Sequence, residues 1–375
     1  FLSEYKEQFA DIASKANCVI CCRTTPKRKA QYVELIQANK KITLAIGDGG
    51  NDVFMIRSAH IGVGIMGKEG RQAASASDFS ISNFSSLQRL ILIHGRFSFY
   101  RTSWLTQFCF YKSIMLSLVQ VLFMFWNGYS GASIFNDFNL MCYNAIFTLL
   151  PVIFFLFDKD VEDETVFIHP YLYSDTRLRI FCNARTMFWW IMRAIYQAVV
   201  VTVVMNFSVS DHSINGFDGN PVGLDEFQQI IYSSLILNVL FTVVFDTQQF
   251  TALNFVFIWG NWLLYILFTI FANLIADFSI CRKIYLVCWR VYTNVYYWIA
   301  VITSTILCVM PVVAIQALFS TMLPTHAQSL RYTEVTKQSE DINAFTVNEG
   351  DYVRYEEMTI WERSSNICSP IGELC

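Results

Sequence analysis

The hydrophobic pattern changes twice along the chain. Up to about residue 96, apolar residues come in short runs separated by polar turns. Phe1–Ala16 is a mixed stretch that fits a helix, and Val19–Cys22 is a short apolar run ending at Arg23 that fits a strand. Thr24 and Thr25 before Pro26 predict a helix start, with a hydroxyl cap and proline at the first helical position. That helix runs to about Ala38, with Ala30, Val33 and Ile36 on one side. Lys41–Gly47 predicts a second strand, Asn51–Ala59 a second helix, Ile61–Ile65 a third strand and Phe79–Ile81 a fourth. Strand and helix in alternation predict a parallel, doubly wound α/β sheet.

From residue 97 to 324 the apolar stretches lengthen. Six are long enough to cross a bilayer at about 20 residues each: Trp104–Trp126, Ile134–Phe157, Thr186–Phe207, Phe227–Phe245, Ala252–Ala276 and Val295–Phe319. Lys and Arg set the expected orientation. Arg89, Arg96 and Arg101 precede the first span, and Lys159, Arg177, Arg179 and Arg185 lie between the second and third. The loops Asn127–Ser133 and Ser208–Glu226 carry neither residue, which puts the head and the tail in the cytosol. Arg282 and Lys283 are local exceptions to that statistical rule. Residues 325–375 are polar, acidic and without clear periodicity, and read as a largely disordered tail.

Composition agrees with this division. Of 375 residues, 54% are hydrophobic and only 15% charged, against about 25% charged in ordinary soluble domains. The net charge of −3 gives no argument for a nucleic-acid partner. It is unevenly spread: residues 1–96 hold 13 Lys/Arg against 8 Asp/Glu, and residues 325–375 hold 4 against 9. Opposite charge on head and tail leaves two readings, a simply solvated tail or one that docks on the head and restrains it. The 11 cysteines are scattered, several inside apolar runs, as buried thiols are. The CxxC at Cys18–Cys21 has no second pair to complete a metal site, so it reads as strand. The chain opens on Phe with no signal peptide, and reads as a piece of a longer one.

Candidate chemistry concentrates in two places. In Lys41–Ile56, KITLAIGDGGNDVFMI, an apolar strand stops at Asp48, and Asp52 follows four residues later. Glycines 47, 49 and 50 let the backbone turn and approach a ligand. Open α/β sheets bind ligands at the carboxyl ends of their strands. Two carboxylates with the amide of Asn51 suit Mg²⁺ and phosphate oxygens, although Asp, Asn and Gly are also ordinary turn residues. Arg23 and Lys29, at the preceding strand–helix junction, could reach the same edge and neutralise a phosphoryl group. The second place is the membrane interior, where ionisable groups are costly and usually functional. Lys112 lies about two helical turns past Trp104. It suits an anionic group, or else snorkels over apolar surface. Asn144 and Thr148 precede Pro151, a helix interruption that frees backbone carbonyls. Carboxylates occur only at span ends, which disfavours a pump for dehydrated cations.

Together these residues resemble the carboxyl-terminal part of a P-type ATPase of the type-four, phospholipid flippase subfamily. The resemblance runs from about Cys18 to Phe319 through CCRTTPKRKA, TLAIGDGGNDVFMI, GVGIMGKEGRQA, SDFSI, LILIHGRFSFYR, FCFYKS, NGYSG and YNAIFTLLPVIFFLFDKDV. It implies a haloacid-dehalogenase-like (Rossmann-like) partial phosphorylation domain at residues 1–96, followed by an all-α membrane domain of six transmembrane helices at 97–324. It also implies ATP-driven phospholipid translocation in a multi-pass protein of the plasma membrane or an endomembrane. By resemblance, Asp48 and Asp52 hold Mg²⁺, while Arg23, Lys29, Asn51 and Asp52 face ATP or the phosphoryl group. Lys112, Ser113 and Asn144 would then line the lipid path, and a small two-span glycoprotein would be the accessory partner. Gly50 stands where the family usually has Ala, and Ser113 where it commonly has Asn. The family's DKTG aspartate, which carries the phosphate, is not in these 375 residues. A regulatory, non-catalytic membrane module and a cation-transporting relative are the competing readings.

Overall fold

The structure, a computed structural model, describes residues 6–67, 71–209, 222–249, 252–274 and 287–335. It divides into two compact units at Gly95 and Arg96.

In the first unit α1 (Lys6–Lys15) and α2 (Pro26–Ala38) precede β1 (Leu44–Gly47), α3 (Val53–Ser58), β2 (Ile61–Ile65), α4 (Gln72–Ala76), β3 (Phe79–Ile81) and α5 (Ser86–Arg89). The strands form one parallel sheet in the order β1-β2-β3, with Leu44 opposite Ile61 and Val63 opposite Phe79. Such pairing needs a crossover helix between strands, which α3 and α4 provide. β2 is buried through Gly62, Val63 and Gly64, as the middle strand of a covered sheet should be. The outer edge of β1 pairs with no strand among the described residues, and Ile42 and Leu44 beside it are exposed.

Two sequence expectations change here. Val19–Cys22 is not a strand, and its cysteines are exposed. A strand needs a neighbour to take its backbone hydrogen bonds, and none of the described strands lies beside it. Pro26 does open α2, but Thr25 makes no side-chain cap.

The second unit contains α6 (Arg96–Trp126), α7 (Asp137–Cys142), α8 (Leu149–Phe155), α9 (Asp163–Ile168), α10 (Tyr173–Arg177), α11 (Ala184–Val209), α12 (Leu224–Asp246), α13 (Ala252–Leu274), α14 (Val287–Thr293), α15 (Val295–Met322) and α16 (His326–Val335). Five helices among the described residues are long and apolar enough to cross a membrane, and the apolar helix Asn139–Ile153 is shorter. The stretch Ile134–Phe157 is therefore not one helix. It breaks into α7, a π-helical turn at Tyr143–Phe147, and α8, because Pro151 cannot continue the hydrogen-bond ladder.

α12 is the centre of the bundle, buried without a break from Gln228 to Leu240. A helix enclosed on all sides carries no amphipathic stripe. Its polar residues face neighbouring helices: Ser234 meets Ser304 at 2.7 Å and Ser233 meets the Tyr265 hydroxyl at 2.7 Å. Small polar residues of this kind let helices approach closely and bond across the contact. At the other extreme, residues 326–335 form α16, where the sequence showed no period. Arg282, Lys283 and the tail beyond Val335 lie outside the described residues.

Candidate functional site

In the first unit the loop after β1 carries the predicted chemistry. Gly47 ends the strand, Asp48 follows it exposed, and Gly50–Asp52 make one 3-10 turn leading into α3. None of Gly47, Gly49 and Gly50 has a positive φ, so the turn is not left-handed. Gly47 is required for a different reason. A Cβ there would lie 2.4 Å from Cβ of Asp52, so only glycine lets the second aspartate fold back over the strand end. A Cβ at Gly50 would meet only the mobile end of Gln72.

Lys29 reaches across from α2, and its Nζ donates to Asp52 Oδ1 at 2.7 Å. The two side chains are 32% and 14% exposed, so the pair is only partly screened by water. The pair joins residues 23 positions apart. Asp48 and Asn51 stand exposed on the same loop. Arg23 is exposed, has a φ of 52°, and makes no hydrogen bond to Asp48 or Asp52 among the described residues. Two carboxylates on one short loop, one open to solvent, fit the donor set that Mg²⁺ takes alongside substrate oxygens.

In the second unit Trp104, Phe108, Tyr111, Met115, Val119 and Phe123 form the buried face of α6 at helical spacing. Lys112 is one residue off that face and half-buried; its Nζ donates to Thr148 Oγ1 at 2.9 Å. Thr148 is fully buried at the end of the π-helical turn, and its hydroxyl donates to Tyr143 O at 2.8 Å. Ser113 and Asn144 are exposed on the bundle surface, and neither bonds Lys112 among the described residues.

The residue before the lysine is also held. Tyr111 donates its hydroxyl to Gln197 Oε1, and Thr242 Oγ1 lies 3.1 Å from the same hydroxyl. The Arg193 guanidinium stands over the Tyr111 ring at 5.6 Å and pairs with Asp246 at 3.3 Å, each side chain 8% exposed. Asp246 also accepts from Trp104 Nε1 and Gln316 Nε2, both at 3.3 Å. One carboxylate thus ties α6, α11, α12 and α15 together. Sequence reasoning placed Asp246 at a span end and passed over Arg193. The signal was present, an arginine inside the apolar run MFWWIMRAIY.

The same end of the bundle is knit through its loops. Fully buried Arg96 grips Asp160 with two bonds of 2.7 and 2.5 Å. Asp158 accepts from the backbone N–H of Gln248 at 2.9 Å and of Gln249 at 2.7 Å. Burial pushes the Asp158 carboxyl above its usual range, partly offset by those two bonds. Asp175, close to Arg96 and Asp160, is pushed up to about 6, chiefly by burial.

Comparison with known proteins adds three findings. Residues 74–325 match the family described as "Phospholipid-translocating P-type ATPase C-terminal". The chain is 40% identical over 260 residues to phospholipid-transporting ATPase 2 of Arabidopsis thaliana, covering 69% of this chain and 23% of that protein. It is 36% identical over 339 residues to human phospholipid-transporting ATPase ID, covering 89% of this chain and 28% of that protein. The chain thus spans about a quarter of the length of these curated relatives.

Proposed function

The chain belongs to the phospholipid-translocating P-type ATPases, and from that premise we propose that it works as the carboxyl-terminal part of an ATP-driven phospholipid translocase. The observation that carries the reading is Lys112. This half-buried ammonium sits on a membrane-crossing helix and is partnered by a neutral hydroxyl, with no carboxylate bonded to it among the described residues. Its positive charge therefore stays available for an anionic group. A phospholipid headgroup supplies one in its phosphodiester. A cation pump needs carboxylates open to its ion inside the bundle, and Asp246 is already neutralised by Arg193.

In this reading the first unit is part of a haloacid-dehalogenase-like phosphorylation domain. The edge of β1, with exposed Ile42 and Leu44 and no strand beside it among the described residues, suits a sheet extended by further chain. Asp48 and Asp52 would hold Mg²⁺, whose part is to draw charge from the transferring phosphoryl group of ATP. Lys29 orients Asp52 and adds a positive charge beside it. Arg23 and Asn51 would face the nucleotide or phosphoryl group. In the membrane unit Ser113 and Asn144 would border the path taken by the headgroup while the acyl tails stay in lipid. The interrupted helix α7–α8 would count as the second of six spans, with the head and the residues after α15 in the cytosol. A small two-span glycoprotein would be the accessory subunit.

The test is transport by the complete protein reconstituted in vesicles with labelled phospholipid, ATP and Mg²⁺. Wild type should move lipid, and Asp48→Asn should not. Lys112→Ala should slow transport far more than it slows phosphoenzyme formation. Equal lipid movement by wild type and Asp48→Asn rejects the reading.

A further inference from the structure

The turn that precedes Thr148, the partner of Lys112, is bonded by a residue far along the chain, on α13. In an α-helix the N–H of residue 151 would bond the carbonyl of Phe147, and proline has no N–H to give. Phe147 is buried, so its carbonyl has no water to turn to. Asn261 of α13 supplies the missing donor: its Nδ2 lies 2.6 Å from Phe147 O, and the side chain is 1% exposed. Asn261 Oδ1 has no partner among the described residues, so the Phe147 bond is the one this buried amide makes there.

Thr148 N bonds Tyr143 O, five residues back, at 3.1 Å, which is the wide π pattern. Thr148 Oγ1 donates to the same carbonyl. With its proton committed there, the hydroxyl presents a lone pair to Lys112 Nζ. An ammonium has three N–H donors, so Thr148 takes one and leaves two for an anionic oxygen.

We infer that Asn261 is a positioning residue for headgroup binding: by standing in for the N–H that Pro151 lacks, it fixes the turn after which Thr148, the capping residue, holds Lys112 at depth. The inference rests on the reading of Lys112 as a headgroup contact. Without the anchor the turn relaxes, the hydroxyl moves, and the lysine stem is free to carry its charge toward the membrane surface. The charge remains in the protein but no longer waits where the phosphodiester arrives.

The experiment is lipid-stimulated ATPase activity of the complete protein in detergent micelles supplied with graded phosphatidylcholine, phosphatidylserine or phosphatidylethanolamine. Asn261→Leu should raise the half-stimulating lipid concentration about tenfold, the worth of one charge-assisted hydrogen bond, with less than about twofold change in maximal rate. Pro151→Ala in the same chain should bring the value back, since residue 151 regains its N–H. Thr148→Val should match Asn261→Leu, and Thr148→Ser should match wild type. That Thr148 pair decides the matter if Asn261→Leu fails to accumulate. An unaltered half-stimulating concentration in Asn261→Leu and Thr148→Val overturns the inference, as does failure of Pro151→Ala to restore it. If all three lipids leave the wild type unstimulated, the translocase reading falls with it; stimulated wild type with unaffected variants sinks this inference alone.

Discussion

Single residues carry their roles through the company they keep. Gly47 and Gly50 look alike in GDGGND, yet only Gly47 is pressed against a neighbour that cannot move, the Cβ of Asp52. Asp175 gives the sharpest pH consequence. It is 7% exposed, and burial lifts its carboxyl from an ordinary 3.8 to about 6 despite Arg96 nearby. The native state then holds a proton that the unfolded chain has released, so stability falls as pH rises from about 4 through 6. The resulting loss at neutral pH is on the order of 3 kcal/mol. Asp175→Asn keeps the shape and removes the charge. Its melting temperature should exceed that of wild type at pH 7.5, and the gap should shrink steadily as the pH is lowered toward 4. A gap constant with pH would remove Asp175 from this role.

Among elements, the Arg193–Asp246 pair shows why a buried ion pair is not a simple source of stability. Two charges at 8% exposure have lost most of their hydration, and their attraction roughly returns what was given up. Removing one partner strands the other. Arg193→Met should destabilise the bundle by about 3–5 kcal/mol, while Arg193→Met with Asp246→Asn should cost much less. Thermal unfolding of the two variants in detergent measures the difference, and equal losses would mean the contact is packing alone. The pair also sits over Tyr111, next to Lys112, so the single variant should disturb lipid stimulation as well.

At the level of the whole molecule, α16 changes where the tail begins. Its Arg331 donates to the side chain of Gln248 at 2.8 Å and to the Gln248 carbonyl, and Glu334 accepts from the backbone N–H of Glu162 at 3.2 Å. α16 therefore belongs to the membrane unit, and the acidic remainder starts after Val335. Truncation after Val335 should raise the ATPase rate of the complete protein if that remainder restrains the basic head. An unchanged rate would discard the restraint. Truncation after Leu323 removes the α16 contacts too, and should lower the melting temperature as well.

Much of this was legible in order along the chain. The alternation of short apolar runs with polar helices determined the parallel sheet, and long apolar stretches determined the membrane helices, because both depend on local periodicity and length. Asp48, Asp52 and Lys112 were visible as charges where charge is expensive or purposeful. The tertiary structure alone decided who meets whom. Lys29 joins Asp52 across 23 positions, Lys112 meets Thr148 across 36, and Asn261 meets Phe147 across 114. No periodicity encodes such pairings, since each depends on which buried donor faces an acceptor that the backbone has left open. The same limit explains the misread segment: Val19–Cys22 has the composition of a strand but no described strand beside it. Ile134–Phe157 breaks where Pro151 marked an interruption, although the sequence did not show that the break takes the form of a π-helical turn.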